Sequence, residues 1–256
     1  MIWFGKASGC WRFSVSKIGF AAILFAFSFS TAKPGGADTS NVNGILQAYA
    51  RALGGEAALE AIKTREIDAK FHRGPKATYY WAKPDKVLRI SRGEKAGFDG
   101  NSGWILSRKK KLGRLPKPEQ QRIEMNADPV RYVHAKDLYS EIDAAPRERV
   151  NDQEMDVLVA PNNIGSTKFY FDTASHLLVR IEELGVTSAY YKQVTEFLDY
   201  KEADGIRFPF RIVHTSTEPG GNNQDIRISK VQQNIDLKPQ IFAKPQLGNV
   251  TLGGKR

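Results

Sequence analysis

Glu202-Ala203-Asp204-Gly205-Ile206-Arg207-Phe208-Pro209-Phe210-Arg211-Ile212 is the most regular stretch of this 256-residue chain. Ile206, Phe208, Phe210 and Ile212 recur at every second position, the period of a strand with one buried face. Asp204-Gly205 in front of them is hairpin-turn chemistry, so an antiparallel partner lies upstream. That partner is predicted from about Ser188 to Tyr200. Downstream, Pro219-Gly220-Gly221-Asn222-Asn223 turns the chain again, and Asp225 to Asn234 reads as the next strand.

The same period extends outward in both directions. Leu177, Val179 and Ile181 alternate with Arg180 and Glu182, and Phe169 and Phe171 with Lys168, Tyr170 and Asp172. Met155, Val157 and Val159 share a face, with strand structure resuming near Arg147. Before that, Ile67, Ala69 and Phe71 alternate with Asp68, Lys70 and His72. Thr78 to Lys83 and Lys86 to Arg92 meet at Pro84-Asp85. Glu94 to Asp99 and Trp104 to Ser107 flank Gly100-Asn101-Ser102-Gly103, a glycine-bounded hairpin signal. About ten strands in mostly adjacent antiparallel order follow from this pattern, with no sequence repeat.

Helical periodicity is confined to two places. Ile45, Leu46, Tyr49 and Leu53 fall on one face of a helix predicted over Asn41 to Leu53, stopped by Gly54-Gly55. A second short helix is predicted over Glu56 to Ile62. In the middle of the chain Arg108-Lys109-Lys110-Lys111, Arg114 and Lys117 form a basic segment with Pro116 and Pro118. Glu119 to Asn126 then reads as a helix and Pro129 to Tyr139 as a further helical turn or two, making a polar, partly helical insertion between two β-rich halves.

The N-terminus has a different character. Lys6, Arg12 and Lys17 precede an apolar run from Ile18 to Phe29 and the small residues Ser30-Thr31-Ala32, the anatomy of a secretory leader. The run falls short of the ~20 apolar residues of a membrane-spanning helix. Cleavage is expected after Ala32 or Ala37. The expected organisation is a signal peptide over 1–32, a linker over 33–40, one domain over 41–245 and a tail over 246–256. The only cysteine, Cys10, lies inside the leader and ahead of its apolar run, and Ala7 stands where a lipidation signal has Leu. The mature chain therefore has no disulfide and no thiolate nucleophile, and is expected in the periplasm as a soluble protein without a lipid anchor. Losing the three basic leader residues takes the net charge from +10 to about +7. That charge favours anionic partners: lipid headgroups or acidic protein faces in this compartment, and not nucleic acid.

The chain carries no recognisable catalytic motif. His72, His134, His176 and His214 lack the spacings that clasp a metal. There is no nucleophile elbow, phosphate loop or dinucleotide fingerprint. Glu182-Glu183 and Glu202 with Asp204 read as strand surface and turn chemistry. The sequence points to a non-enzymatic protein without metal or cofactor. A hydrolase would need carboxylates or a histidine converging in one cleft.

Two segments carry a family resemblance. Trp81-Ala82-Lys83-Pro84-Asp85-Lys86-Val87-Leu88-Arg89-Ile90 resembles the strand–Arg-Pro–strand segment of the periplasmic lipoprotein carrier and its outer-membrane receptor, the LolA/LolB-like group, and Phe98-Asp99-Gly100-Asn101-Ser102-Gly103-Trp104 resembles its Asp-Gly-x-x-x-Trp hairpin. A looser likeness covers Phe197 to Tyr200 and Asp204 to Phe210. The resemblance implies an α+β fold, a curved antiparallel half-barrel with helices over its concave face. It also implies a hydrophobic ligand, a lipid or the acyl chains of a lipoprotein, and a role in outer-membrane lipoprotein sorting. Lys83 stands where the carrier has an Arg that helps hold its lid closed, and Val87 where it has a bulky aromatic. Lys lacks the planar fork of Arg.

On this reading the cavity is lined by Phe71, Trp81, Leu88, Trp104, Phe169, Phe171, Val179, Phe208, Phe210 and Ile212. Lys83 makes the lid contact. Lys109, Lys110, Lys111, Arg114 and Lys117 dock at an anionic membrane or an envelope protein. The alternative is a protein-interaction module of the envelope whose cavity is filled by its own helices.

Overall fold

The structure is a computed structural model that describes residues 39–162, 164–185, 190–221 and 223–246. The leader, Cys10, both expected cleavage positions, Ser188 and most of the C-terminal tail lie outside these residues.

The expected α+β architecture is present. One antiparallel sheet, curved and unclosed, runs through the chain, and a few helices cover one face. It has thirteen strands rather than about ten: β1 Thr64–Phe71, β2 Lys76–Ala82, β3 Lys86–Ser91, β4 Glu94–Phe98, β5 Gly103–Leu106, β6 Leu112–Arg114, β7 Asp143–Val150, β8 Gln153–Pro161, β9 Ser166–Asp172, β10 Leu178–Leu184, β11 Lys192–Ala203, β12 Ile206–Ser216 and β13 Gln224–Gln233. Their spatial order is β6-β5-β4-β3-β2-β1-β13-β12-β11-β10-β9-β8-β7. All connections between consecutive strands but one are thus hairpins. The exception is β6 to β7, which crosses from one edge to the other, and β13 pairs with β1 at the centre of the sheet.

The β6–β7 crossing carries the helices. α1 (Thr39–Leu53) and α2 (Glu56–Glu60) precede the sheet, α1 starting two residues inside the expected linker. α3 (Lys117–Ala127), a 3-10 turn (Arg131–His134) and α4 (Ala135–Leu138) fill the crossing. The apolar face of α1, with Val42, Ile45, Leu46, Tyr49 and Leu53, packs into the main core against Ile67, Tyr79, Phe169, Phe171, Phe197, Phe208 and Ile212. Gly54 ends α1 at φ +137°, and a Cβ there would lie 2.6 Å from the Gly205 carbonyl oxygen of the β11–β12 turn. Only glycine lets the helix end meet that backbone.

Two smaller clusters lie on the other face of the sheet. Leu88 and Trp104 pack with Phe242 of a C-terminal 3-10 turn, Pro239–Phe242. The Trp104 indole Nε1 donates to the Phe242 carbonyl oxygen at 2.9 Å. Met155, Val157 and Tyr170, with Val179 against them, form the second.

Candidate functional site

Alternation of side chains along each strand decides what faces the helices. Val87 belongs to the helix-side core, so its neighbour Leu88 does not; Ile105 packs with that core and Trp104 does not; Leu178 does and Val179 does not. Leu88, Trp104 and Val179, expected along the cavity, therefore sit on the outer face. The sheet is locally buried on both faces, and alternation alone does not say which buried set meets the helices. Trp81, Phe169, Phe171, Phe208 and Ile212 are buried in the helix-side core, with Phe210 packed against it. Of the ten, Phe71 lines the larger of the two cavities beside α3.

Two cavities open beside α3, at the end of the sheet where the β1–β2, β3–β4, β5–β6 and β12–β13 turns meet. The first, about 720 Å³, is lined by Phe71, His72 and Pro75 of the β1–β2 turn region, Arg89 and Arg92 around β3, and Gln224 of β13, among others. The second, about 610 Å³, lies between α3, the helical turns after it and the ends of β10 to β12; Arg122, Tyr139, Glu183 and Thr195 are in its walls. Both volumes are in the ~300–1,000 Å³ range of small-molecule sites.

His214 lines both cavities. It is buried on β12, with Thr195 Oγ1 at 2.9 Å from Nδ1 and Asn126 Oδ1 of α3 at 3.2 Å from Nε2. An amide oxygen only accepts, so Nε2 carries the proton and Nδ1 accepts from the Thr195 hydroxyl. Burial, helped by the positive field of Arg122, lowers its pKa to about 4. Burial also raises the carboxyl of Glu183 in the second cavity, against the pull of Arg122, and raises the Tyr79 phenol to about 12. α3 is thus held by a neutral polar chain, Thr195–His214–Asn126, with the Asn126 amide 3.5 Å from the Tyr79 hydroxyl.

This arrangement sets an acid limit on stability. The unfolded histidine takes up a proton below about pH 6.5, while the folded one resists until about pH 4. Stability therefore falls as pH drops through that window, by about 3 kcal/mol in total. Thermal melts between pH 7 and 4 should show this slope in the parent and a flatter one in His214→Gln. Parallel slopes would mean that His214 is not the titrating group.

α3 is anchored a second time by Arg65 of β1, only 1% exposed, which forms an ion pair with Asp128 at the end of the helix. Its guanidinium lies 5.3 Å from the Trp81 ring and 5.2 Å from the Phe208 ring. Sequence reasoning missed Arg65 and His214, because a charged or polar residue at a strand position reads as solvent-facing. Only their parity with Ile67 and Ile212, apolar positions two residues away, pointed inward.

Lys83 donates to the carbonyl oxygen of Glu60 at 3.0 Å and to its Oε2 at 2.8 Å, tying the β2–β3 turn to α2. That hydrogen bond holds the Glu60 carboxyl below its usual range. Both partners are solvent-exposed, so the pair contributes at most ~1 kcal/mol.

The basic segment spans the turn of the β5–β6 hairpin, the short strand β6 and the start of α3. Lys111 donates its backbone N–H to Ser107 Oγ at 3.1 Å, closing the turn. Lys109, Lys110, Lys111 and Arg114 are exposed and have no ion-pair partner among the described residues, and exposed Lys117 opens α3 and lines the second cavity. Arg73 and Arg92 are exposed on the neighbouring turns, and Arg92 extends the cationic rim to the first cavity. Among the described residues no group of three histidines, cysteines or carboxylates could hold a metal ion, and no helix is long and apolar enough to cross a membrane.

No protein-family model and no curated protein matches the chain. Solved structures do. A LolA superfamily protein from Nitrosomonas europaea superposes at a TM-score of 0.53 with 12% identity, over 78% of this chain and 96% of that one. A DUF1329 family protein from Desulfovibrio piger superposes at 0.57 with 13% identity, over 79% and 97%. The chain shares the LolA-like fold with them, as the Trp81–Ile90 and Phe98–Trp104 segments implied.

Proposed function

We propose that this chain is a periplasmic, non-enzymatic carrier or binding protein for a hydrophobic ligand, a lipid or the acyl chains of a lipoprotein, and that it serves lipid or lipoprotein traffic toward the outer membrane. The observation that carries this reading is the pair of cavities beside α3, on the helix-covered face and opening at a cationic rim. The secretory pattern of residues 1–32 supports the compartment, and the shared fold supports the class. Carrying an acyl chain through water costs ~0.8 kcal/mol per exposed methylene, so a carrier needs a compartment for it.

Native mass spectrometry of protein purified from its own envelope, followed by extraction, tests the reading. Co-purifying lipid or acylated protein is expected. A bare chain, together with no uptake of added lipid, would contradict it.

The rim would then meet the donor or acceptor membrane. Each basic residue close to an anionic surface contributes ~1 kcal/mol. Changing Lys109, Lys110, Lys111 and Arg114 to Gln is expected to weaken co-sedimentation with phosphatidylglycerol vesicles by at least about a hundredfold and to spare neutral phosphatidylcholine vesicles. An equal effect on both vesicle types would remove the docking claim.

One observation favours a second reading, a protein-interaction module of the envelope. The centre of the helix-side face is filled by α1 side chains, Val42, Ile45, Tyr49 and Leu53. On that reading the purified protein takes up no lipid and instead captures a defined protein partner.

A further inference from the structure

Resting on the carrier reading, we propose that the first cavity selects an anionic amphiphile, its headgroup held at the mouth by Arg92 and Arg108 and its apolar part against Phe71 and Pro75. The charges on its wall are unevenly paired. The lining contains three arginines and two carboxylates. Arg89 is paired with Glu94 at 2.7 Å and with Glu119 of α3 at 3.1 Å. Asp225 is paired with Arg211 at 2.9 Å. Every charge on the wall is thus compensated except those of Arg92 and Arg108, which are exposed on adjacent hairpin turns and have no hydrogen-bond or ion-pair partner among the described residues.

The wall carries a second open valence. Gln224, which also lines the cavity and sits in register opposite His214, has an amide oxygen that is buried without a hydrogen-bond partner. Leaving such an atom unpaired is unfavourable, and a headgroup hydroxyl would satisfy it. Two unpaired guanidiniums at the mouth and an unpaired acceptor in the wall suit a charged head with a hydrogen-bond donor. Phe71 and Pro75 beside them suit the start of an apolar chain. A purely hydrocarbon ligand would leave all three polar groups unanswered.

The shared chemistry, a single negative charge on an acyl chain, is that of a fatty acid or a lysophospholipid; a carboxylate answers the two guanidiniums alone, and a phosphoglycerol head answers the Gln224 oxygen as well. Both are tested by titrating the delipidated protein with dansyl-undecanoic acid, with its neutral methyl ester, and with lysophosphatidylglycerol as a competitor below its micellar concentration. The parent is expected to bind the acid at least about tenfold more tightly than the ester, the scale of a hydrogen bond to a charged group. Arg92→Gln/Arg108→Gln should bring the acid to the ester's affinity and leave the ester unchanged. Both positions are on exposed turns, and circular dichroism checks that the fold is kept. Lysophosphatidylglycerol displacing more strongly than unlabelled undecanoic acid would name a phosphoglycerol head, whose hydroxyls can donate to the Gln224 oxygen; the reverse would name a carboxylate, with Gln224 taking no part. Equal affinity of acid and ester in the parent, or no response to the double substitution, overturns the headgroup assignment while leaving the carrier reading intact. Failure of acid, ester and lysolipid alike overturns both.

Discussion

Arg65→Met is expected to destabilise the protein by about 3–5 kcal/mol, the cost of removing one partner from a buried ion pair. The wild-type guanidinium sits between the Trp81 and Phe208 rings and meets the carboxylate of Asp128, which is itself only 13% exposed. Methionine fills much of the same space between the rings, so the loss is electrostatic more than volumetric. It leaves Asp128 charged and largely desolvated at the end of α3. Urea denaturation at pH 7 should show the midpoint falling sharply, and hydrogen exchange should quicken across Lys117–Ala127 before it does in the central strands. Arg65→Met/Asp128→Leu should recover most of the stability, because exchanging a whole buried pair for apolar groups is often neutral. A double variant no more stable than the single one would mean that Arg65 acts through packing alone.

Trp104→Ala is expected to cost a similar amount, about 3–5 kcal/mol, by opening a cavity on the outer face. Trp104 is 1% exposed. Its removal takes the packing surface from Leu88 and Phe242 and the indole donor from the Phe242 carbonyl. The C-terminal segment after β13 loses an anchor, so limited proteolysis should cut between Gln233 and Gln246 in the variant and not in the parent. Because Trp104 lies across the sheet from both cavities, ligand affinity per folded molecule should be unchanged. A variant with full stability but lost binding would reverse that placement.

The centre of the sheet was legible because its two-residue period is strong. Ile206–Ile212, Phe169–Phe171 and Ile67–Phe71 each turn every second side chain toward the helix-side core, so their sequence carries the fold directly. The edges were not legible. β6 is Leu-Gly-Arg, too short to show a period, and β7, Asp143–Val150, has no residue that counts as buried. An edge strand has one partner and little core to face, so charge and proline are tolerated there. α3 was foreseen as a helix, but its docked face was not. Gln120 and Asn126 are buried beside Ile123 and Ala127, and polar side chains that satisfy one another inside leave no amphipathic trace.

The candidate site was legible in its rim and hidden in its walls. Lys109–Lys111 and Arg114 stand out as a charge cluster in any reading. That Arg73 and Arg92 join them depends on β1, β3 and β5 lying close together with their turns at one end, which is topology rather than local sequence. The choice between Trp104 and Ile105 as the inward residue required knowing which face the helices cover.

The central claim is that the space beside α3 is a ligand compartment. Its most direct test is a titration of the delipidated, natively folded protein with the dansyl methyl ester, in the parent and in Ser91→Trp. Ser91 lines the first cavity at its rim, and an indole there would occupy the space without disturbing the core. Saturable binding at one site per chain, lost in Ser91→Trp with the fold preserved, is the predicted result. Binding that never saturates, or that persists unchanged in Ser91→Trp, would contradict the account.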